Sequence, residues 1–380
     1  MNNLTLLWGT LIPMEVGKDV VLLPYYLGKI LNFQTNIVCE FTDGVETFLI
    51  QENDVNNEIN FINRNMGNSR WSIFCSHIYY LLTNAKKIDL LMCFHWTLSS
   101  AMKIILYKSL NHKGKVYLKL DSNLGKEFSI GRKPIISFIR KCIYTQIVKL
   151  SNVISCETSQ TYKNLCLNSL LGDNLAKKLI LVPNGFDENK LNSYNITERL
   201  FSSKENLIIT VGRLGSLPKN TNMILKALEK VDLKSWKFCL IGPIEKEFQQ
   251  EIDLFYKKNP TKKHDVIFIG NIIEKKDLWE WYNRAKVFVF TSRWESYGLV
   301  LNEAKRFRNY LLSTDVGAFK DLYENGKYGR IVNQDDAEDL TNILQEIVNG
   351  DIDINVYGDE FSPTSLSYIQ QVKKILPFLN

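Results

Sequence analysis

Residues 286–304 read KVFVFTSRWESYGLVLNEA. The first half of this stretch is rich in Val and Phe, which predicts a buried strand that ends in a polar loop. A helix is expected to begin near Gly298, so that Glu295 lies in the loop and Glu303 in the second turn of the helix. On one continuous helix the two glutamates would be about 80° apart around the axis and about 12 Å apart along it. We therefore predict that they flank the start of a helix, where unpaired amides can bind an anion.

Bulk composition narrows the class of protein. The chain has 380 residues, 45% of them hydrophobic and 12% aromatic, which predicts two domains with substantial cores and excludes a disordered chain. Its net charge of +6 is too small to favour a nucleic-acid partner. Seven scattered cysteines without a CxxC pair predict reduced core residues in a cytoplasmic protein. Because no run of about 18 apolar residues occurs and the N-terminus lacks a basic signal-peptide start, we expect at most a peripheral membrane contact.

Short apolar runs alternate with stretches of helical period, which is typical of parallel α/β sheets. A turn at Pro-Asn-Gly (183–185) separates two such series, and a helix is expected over 363–380. The predicted strands are residues 4–9, 35–40, 88–94, 115–120 and 152–157 before this turn, a strand that begins at residue 178 and runs into the turn, and residues 206–212, 236–242, 265–270 and 286–292 after it.

Three strands of the second series end in glycine, at Gly212, Gly242 and Gly270. Glycine at the carboxyl end of a strand lets a ligand approach the backbone, next to the free amides of the following helix. Arg213 and Lys219, in the loop after the first of these strands, could together bind a diphosphate. The second half is therefore predicted to hold phosphates, although Arg213 and Lys219 taken alone fit plain surface positions better than a binding role.

Together these segments resemble the C-terminal half of a family 4 glycosyltransferase (glycosyltransferase group 1) of the GT-B architecture. The resemblance is carried by PNGFD (183–187), VGR…PKN (211–220), FIGNI…NEA (268–304) and STDVGAFKDLYENGKYGRIV (313–332). It implies an α/β fold of two Rossmann-like domains that face each other across a cleft. Residues 1–186 are then expected to bind the acceptor, residues 187–362 to bind the nucleotide sugar, and the tail helix 363–380 to return to the first domain.

The resemblance also implies a reaction. It is the retaining, metal-independent transfer of a sugar from a nucleotide diphosphate sugar, with a UDP-sugar favoured, to a saccharide or lipid-linked saccharide. The expected setting is the assembly of bacterial surface polysaccharide such as capsule, O-antigen or teichoic-type polymers. No cofactor or metal is implied, and the acidic strings at 119–123 and 333–339 are interpreted as a turn and a helix N-cap.

Residue roles follow from the same match. Glu295 would lie against the donor sugar and Glu303 would accept the ribose hydroxyls, while Arg213 and Lys219 would bind the diphosphate. The remaining residues of the expected donor site are Gly270, Ile272, Ser296, Tyr297, Gly298, Leu299 and Val300.

The N-terminal half matches the family less well. Gly17 is either a close-approach residue near the reaction centre or a plain turn glycine. Where many family members carry a strand-end histidine, this chain has Asp121, which could orient hydroxyls or cap the strand. His95 and Glu157, also at strand ends, are weaker acceptor-site candidates, and for His95 taken alone a structural role is favoured.

Three alternatives stay open. The acceptor could be a protein Ser or Thr, since only the acceptor groove would differ. A non-catalytic glycan-binding subunit is also possible, although such proteins often lose the donor-site glutamates and cations that this chain retains. The basic stretch 131–152 could lie on the inner face of an anionic membrane, but we favour a helix that packs on the core with a solvated basic side.

Overall fold

The computed structural model describes residues 1–51, 58–64, 67, 69–121, 134–167 and 172–379. The chain folds into two compact units. Unit 1 comprises Met1–Gly185 and the C-terminal segment from Tyr368, and unit 2 comprises Phe186–Ser367. The chain therefore passes from one unit to the other twice.

The described part of unit 1 contains a seven-stranded parallel sheet. Its strands are β1 (Asn3–Leu11), β2 (Gln34–Phe41), β3 (Ile59–Asn63), β4 (Leu90–Phe94), β5 (Lys115–Leu120), β6 (Val153–Cys156) and β7 (Leu179–Leu181). They lie in the order β3-β2-β1-β4-β5-β6-β7, so the direction of strand addition reverses between β1 and β4. In sheets of this kind a ligand binds beyond the carboxyl ends of the strands at the point of reversal.

Unit 2 repeats this plan. Its described strands are β8 (Glu205–Val211), β9 (Lys237–Ile241), β10 (Val266–Gly270), β11 (Ala285–Phe290), β12 (Tyr310–Ser313) and β13 (Gly329–Ile331). The six-stranded parallel sheet has the order β10-β9-β8-β11-β12-β13, and its point of reversal lies between β8 and β11. The Val- and Phe-rich run that begins at residue 286 therefore forms a central strand next to this reversal.

Helices connect the strands. In unit 1 they are α1 (Asp19–Leu31), α2 (Val45–Gln51), α3 (Arg70–Asn84), α4 (Leu98–Leu110), α5 (Pro134–Leu150), α6 (Ser159–Cys166) and α7 (Gly172–Ala176). In unit 2 they are α8 (Glu188–Ser193), α9 (Thr221–Lys230), α10 (Gln249–Lys258), α11 (Lys275–Arg284), α12 (Leu299–Arg306), α13 (Phe319–Tyr323) and α14 (Ala337–Asn349). None of the helices described has the length and apolar character needed to cross a bilayer.

Every strand predicted from the sequence is present, with ends that differ by a few residues. The sequence did not identify β3, β12 and β13. β3 reads INFIN, in which two of the five residues are asparagine, while β12 and β13 are four and three residues long. A strand of three or four residues alternates too few times between apolar and polar side chains for its two-residue period to be recognised.

The helix predicted over 363–380 is wrong as a continuous element. Pro363–Leu366 forms a 3-10 turn in unit 2, α15 covers only Tyr368–Lys373 in unit 1, and a second 3-10 turn covers Leu376–Phe378. The Pro377 ring cannot continue an α-helix. The return to unit 1 is made by α15, whose Tyr368 ring stacks on Tyr26 of α1 with centroids 5.6 Å apart.

All seven cysteines lie within the described ranges and are free. Four are buried, as predicted. Cys75, Cys142 and Cys166 are exposed on α3, α5 and α6, and the expectation of core positions is wrong for these three. Their apolar neighbours in sequence face the core, whereas the helical period turns the cysteines outward.

Candidate functional site

The point of reversal in unit 2 brings together loops that are distant in sequence. β8 and β11 are adjacent strands, and the loops that follow them leave the same edge of the sheet. Arg213 and Lys219 lie in the loop after β8, and Glu295 lies in the loop after β11. The sheet topology therefore gathers the predicted cations and the first predicted carboxylate at one edge.

Lys219 and Glu295 form an ion pair between Nζ and Oε1. The Ser292 hydroxyl donates to the same carboxylate oxygen over 3.1 Å. Lys219 Nζ lies 4.9 Å from the centre of the ring of Phe290, the last residue of β11. The two side chains keep 22% and 17% of their surface exposed, which leaves the pair accessible to a ligand from solvent.

Arg293 joins the two loops. Its amide donates to the Pro218 carbonyl over 2.7 Å, and its Nη1 donates to the Leu217 carbonyl over 2.9 Å. Its Nη2 also pairs with Asp335 at 2.8 Å. These contacts fix the loop that carries Lys219 against the loop that carries Glu295. The sequence analysis did not identify Arg293, although its place two residues before Glu295 could have suggested a positioning role.

Glu303 lies in the second turn of α12 and is nearly buried. It forms an ion pair with Lys275 at the start of α11, and Trp279 Nε1 donates to its Oε1 over 3.4 Å. Burial, and then the nearby Glu303 carboxylate, raise the pKa of Tyr282 far above its ordinary value, so the phenol stays protonated. The sequence analysis missed all three partners, whose spacing of four and three residues places them on one face of α11.

Gly298 makes the loop-to-helix transition possible. It caps α12 with φ +85°, a conformation that glycine adopts without strain. The helix begins at Leu299, as predicted, and the amides of Leu299 and Val300 belong to its first turn. First-turn amides have no acceptor within their own helix and can donate to an anion. The preceding residue, Tyr297, is buried and its carbonyl accepts from Ala318 over 2.8 Å.

The three strand-end glycines differ in their surroundings. Gly212 donates to Ile241 over 3.0 Å, and Gly242 donates to Gly270 over 2.8 Å. A Cβ at Gly242 would lie 1.9 Å from the Gly212 carbonyl oxygen, so packing within unit 2 requires that glycine. A Cβ at Gly270 would meet nothing within 4 Å, and this glycine, with φ +83°, borders open space. Gly270 therefore fits the predicted close approach to a ligand.

The other predicted donor-site residues lie around this edge. Arg213 is exposed, and within the described ranges it forms no ion pair. Its guanidinium is thus available to an anionic ligand, whereas Lys219 is already paired with Glu295. Ser296 and Ile272 are half-buried. Ile272 packs against the hydrophobic cluster beneath α11 and α12.

In unit 1 the corresponding edge contains a buried charge cluster. Lys119, on β5, is fully buried and forms ion pairs with Asp19 and Glu157. Burial lowers the pKa of Lys119, but the surrounding carboxylates outweigh burial and raise it. Burial also raises the pKa of Glu157, with Lys119 opposing and Asp121 adding to the effect. Glu157 is held by its contact with Lys119 inside unit 1. Asp19 and Lys119 are members of this edge that the sequence analysis missed.

His95 lies next to Asp121. Its backbone amide donates to the Lys119 carbonyl over 2.8 Å, and its Nδ1 lies 3.2 Å from the Asp121 carbonyl oxygen. His95 has φ +60°, an uncommon conformation for a residue with a Cβ that often marks functional positions. The structure thus brings together two of the predicted acceptor-site residues, both half-buried.

Gly17 is exposed in the turn before α1. It lacks a positive φ, and an added Cβ would meet nothing within 4 Å. Nothing inside unit 1 therefore demands glycine at this position.

Of the two acidic strings, Asp336 in 333–339 caps α14 by accepting from Asp339 over 3.0 Å, as predicted. Residues 122 and 123 of the other string lie outside the described residues.

Comparison with known proteins finds a family match within the second half of the chain. Residues 195–358 match the family described as "Glycosyl transferases group 1". The amylovoran biosynthesis glycosyltransferase AmsD of Erwinia amylovora is 30% identical over 117 residues, which are 30% of this chain and 31% of that protein. The capsular polysaccharide biosynthesis glycosyltransferase CapM of Staphylococcus aureus is 23% identical over 195 residues, 48% of this chain and 50% of that protein. The chain thus spans half or less of the length of these relatives.

A structural match covers the whole chain. The crystal structure of Anabaena Alr3699/HepE in complex with UDP aligns with a TM-score of 0.68 and 14% identity, over 100% of this chain and 99% of that chain. At this identity the match shows the fold alone. Together with the two parallel sheets it establishes the GT-B fold predicted from the sequence.

Proposed function

Because residues 195–358 match the family described as "Glycosyl transferases group 1", we propose that this protein is a glycosyltransferase. It transfers a sugar, with retention of anomeric configuration, from a nucleotide diphosphate sugar to a saccharide or lipid-linked saccharide. We propose bacterial surface polysaccharide assembly as its setting. The similar AmsD and CapM proteins are named for amylovoran and capsular polysaccharide biosynthesis, which supports this setting.

One observation carries the proposal. Two carboxylate–lysine pairs, Lys219–Glu295 and Lys275–Glu303, flank the N-terminus of α12 at the strand reversal of unit 2. A nucleotide diphosphate sugar has an anionic centre with hydroxyl-bearing sugars on both sides. The helix amides match the anion, and the carboxylates match the hydroxyls on either side. UDP is the favoured nucleotide, since HepE, which shares the fold, is described in complex with UDP.

In the proposed reaction the bond from the anomeric carbon to the diphosphate oxygen breaks, and negative charge accumulates on the leaving phosphate. Lys219, the exposed Arg213 and the amides of α12 would stabilise this charge through fixed electrostatic interactions. The acceptor hydroxyl oxygen bonds to the anomeric carbon, and its proton passes to the departing phosphate. Because the acceptor attacks the face of the sugar from which the diphosphate leaves, the anomeric configuration is retained without a covalent enzyme intermediate.

We also propose that transfer needs no divalent metal, because cationic side chains supply the charge that neutralises the diphosphate. Rates that stay the same in excess chelator would support this, whereas a rate restored only by Mg²⁺ or Mn²⁺ would refute it.

The function is tested by a thermal-shift and hydrolysis screen against UDP-, GDP- and ADP-sugars. A specific donor should raise the unfolding temperature by mass action. The protein should also hydrolyse that donor slowly when no acceptor is present. If the protein hydrolyses none of these donors yet binds saccharides, it is a non-catalytic glycan-binding subunit and the proposal is wrong.

The role of Glu303 gives a sharper test. Glu303→Gln keeps the shape of the side chain but removes the charge that accepts ribose hydroxyls, so nucleotide affinity should fall about tenfold or more. Calorimetry with UDP measures this. Glu229→Gln, at an exposed position on α9 of the same unit, is the matched control and should bind as wild type. Equal affinity of both variants would place the ribose elsewhere.

A further inference from the structure

The outward face of α4 is apolar. Leu98, Met102 and Ile105 are spaced by four and three residues, so they form one stripe along the helix, and they are 58%, 45% and 41% exposed. The opposite face, which includes Ala101, Ile104 and Tyr107, is buried in the core. A surface helix of a globular protein normally presents polar residues at the outward positions. α4 is therefore apolar on both faces.

The neighbouring helix has the same property. On α3, Trp71, Tyr79 and Leu82 fall on one stripe and are 71%, 59% and 57% exposed. α3 packs beside α4, and α4 packs beside α5, so the three helices form one layer over the sheet. Exposed large apolar residues concentrated on adjacent helices mark an interaction surface.

The part of the chain that forms this layer is also rich in cations. Residues 64–156, which include the three helices, contain fifteen Lys or Arg and three Asp or Glu. Two of these lysines, Lys103 and Lys119, are buried and do not contribute to the surface. α3, α4 and α5 contain no acidic residue at all. The exposed cations lie on these helices or directly after them: Arg70 at the start of α3, Lys86 and Lys87 after its end, Lys113 after the end of α4, and Arg140 and Lys141 on α5. An apolar stripe bordered by cations has the chemistry of a helix layer that lies in the headgroup region of an anionic bilayer.

We propose that the α3–α4 surface docks unit 1 on an anionic phospholipid membrane, with the stripe of Leu98, Met102 and Ile105 among the acyl chains and the flanking cations at the headgroups. A second copy of this chain is a poorer occupant, because a two-fold contact would oppose two strongly basic surfaces. A nucleic acid would match the cations but leave the apolar stripe without a partner.

This surface differs from the one considered in the sequence analysis. Within the described part of 131–152, α5 buries Ile147 and Val148 in the core and exposes Arg140, Lys141 and Lys149, the core-packed arrangement favoured from the sequence. Residues 131–133 lie outside the described residues. α5 would thus supply headgroup contacts, while α3 and α4 would supply the apolar contact.

Vesicle co-sedimentation of the full-length chain tests the proposal without donor or acceptor, so its outcome is independent of the proposed transferase activity. We expect binding to vesicles of phosphatidylcholine with phosphatidylglycerol to exceed binding to phosphatidylcholine alone by at least about tenfold, and to weaken with added salt. Met102→Glu with Ile105→Glu, and separately Arg140→Glu with Lys141→Glu, should each lower binding about tenfold or more.

The matched control is Leu254→Glu, which places the same charge at a 48% exposed leucine on α10 of unit 2 and should leave vesicle binding unchanged. Circular dichroism melting verifies that each variant is folded. Equal binding to neutral and anionic vesicles, or wild-type binding by both double variants, would overturn the proposal. So would light scattering that shows a dimer dissociated by Met102→Glu with Ile105→Glu while no variant binds vesicles.

Discussion

The two units share one strand order but place their charges differently. In unit 1, Lys119 lies on strand β5 with 0% of its side chain exposed and pairs with Asp19 and Glu157. In unit 2, Lys219 lies in a loop beyond the strand end, 22% exposed, and pairs with Glu295. A lysine on a central strand is covered by the sheet and its helices, whereas a lysine past the strand end stays accessible from solvent.

The difference in exposure separates charges that stabilise the fold from charges that can exchange their partner for a ligand. A fully buried ion pair has already lost its hydration, and removing one partner leaves an uncompensated charge in the interior. A partly exposed pair contributes little to stability and can exchange its partner for a ligand at small cost. The comparison therefore predicts that charge removal damages folding in unit 1 and ligand chemistry in unit 2.

The largest effect is expected for Lys119→Met. Asp19 and Glu157 would face each other without a cation in a buried site, and unit 1 should lose about 3–5 kcal/mol of unfolding free energy. Hydrogen exchange read by mass spectrometry measures this on peptides of β5 and β6. The double variant Lys119→Met with Glu157→Gln also neutralises one of the two carboxylates that would be left without a cation. It should therefore recover part of the lost unfolding free energy. Unchanged exchange in the single variant would contradict a structural role.

Lys219→Ala should lower turnover strongly and leave the unfolding free energy nearly unchanged. Loss of a cation beside the leaving phosphate should lower turnover of the donor identified by the screen about 100-fold to 1,000-fold. The unfolding free energy should change by less than about 1 kcal/mol, because the pair is partly exposed. Steady-state kinetics and urea unfolding measure the two quantities.

Lys226→Ala is the matched control for Lys219, since it removes an exposed cation from α9 of the same unit. Its turnover should equal that of wild type. If Lys219→Ala instead unfolds unit 2 and Lys226→Ala does not, the Lys219–Glu295 pair is structural and the contrast between the units fails.

Acidification is expected to lower the stability of unit 1 by a smaller amount. His77, on α3 of unit 1, is fully buried, and burial, with Lys103 adding, lowers its pKa to about 3. The unfolded chain binds a proton at His77 below about pH 6.5 while the folded chain does not, so stability is lost as the pH falls from there. Between about pH 6.5 and 5 the loss should be about 2 kcal/mol.

Hydrogen exchange at the two pH values measures this loss on α3 peptides, and His77→Leu should reduce it. Unit 2 supplies the comparison, since its His264 is exposed. Peptides of unit 2 should therefore lose less protection on acidification. Equal pH dependence in wild type and His77→Leu would show that other groups govern acid stability.

Much of the fold could be predicted because it depends on local patterns. The apolar runs of β5, β8 and β11 alternate with helical stretches, and such a pattern has few solutions other than a parallel sheet covered by helices. The start of α12 at Gly298 followed from one glycine placed between a strand and a helical period. The first break of the 363–380 tail was missed because the change of unit at Ser367 leaves no mark in the local sequence, whereas Pro377 could have predicted the second break.

The sequence by itself determined that Glu295 and Glu303 flank a helix N-terminus, because chain distance and helical period set their placement. It could not determine their partners. Lys219 is 76 residues from Glu295, and Lys275 is 28 residues from Glu303. Only the strand order of unit 2 decides that these side chains meet. The same holds for the buried Lys119 cluster and for the apolar α3–α4 surface, since burial and exposure are properties of packed neighbours and not of a residue's position in the chain.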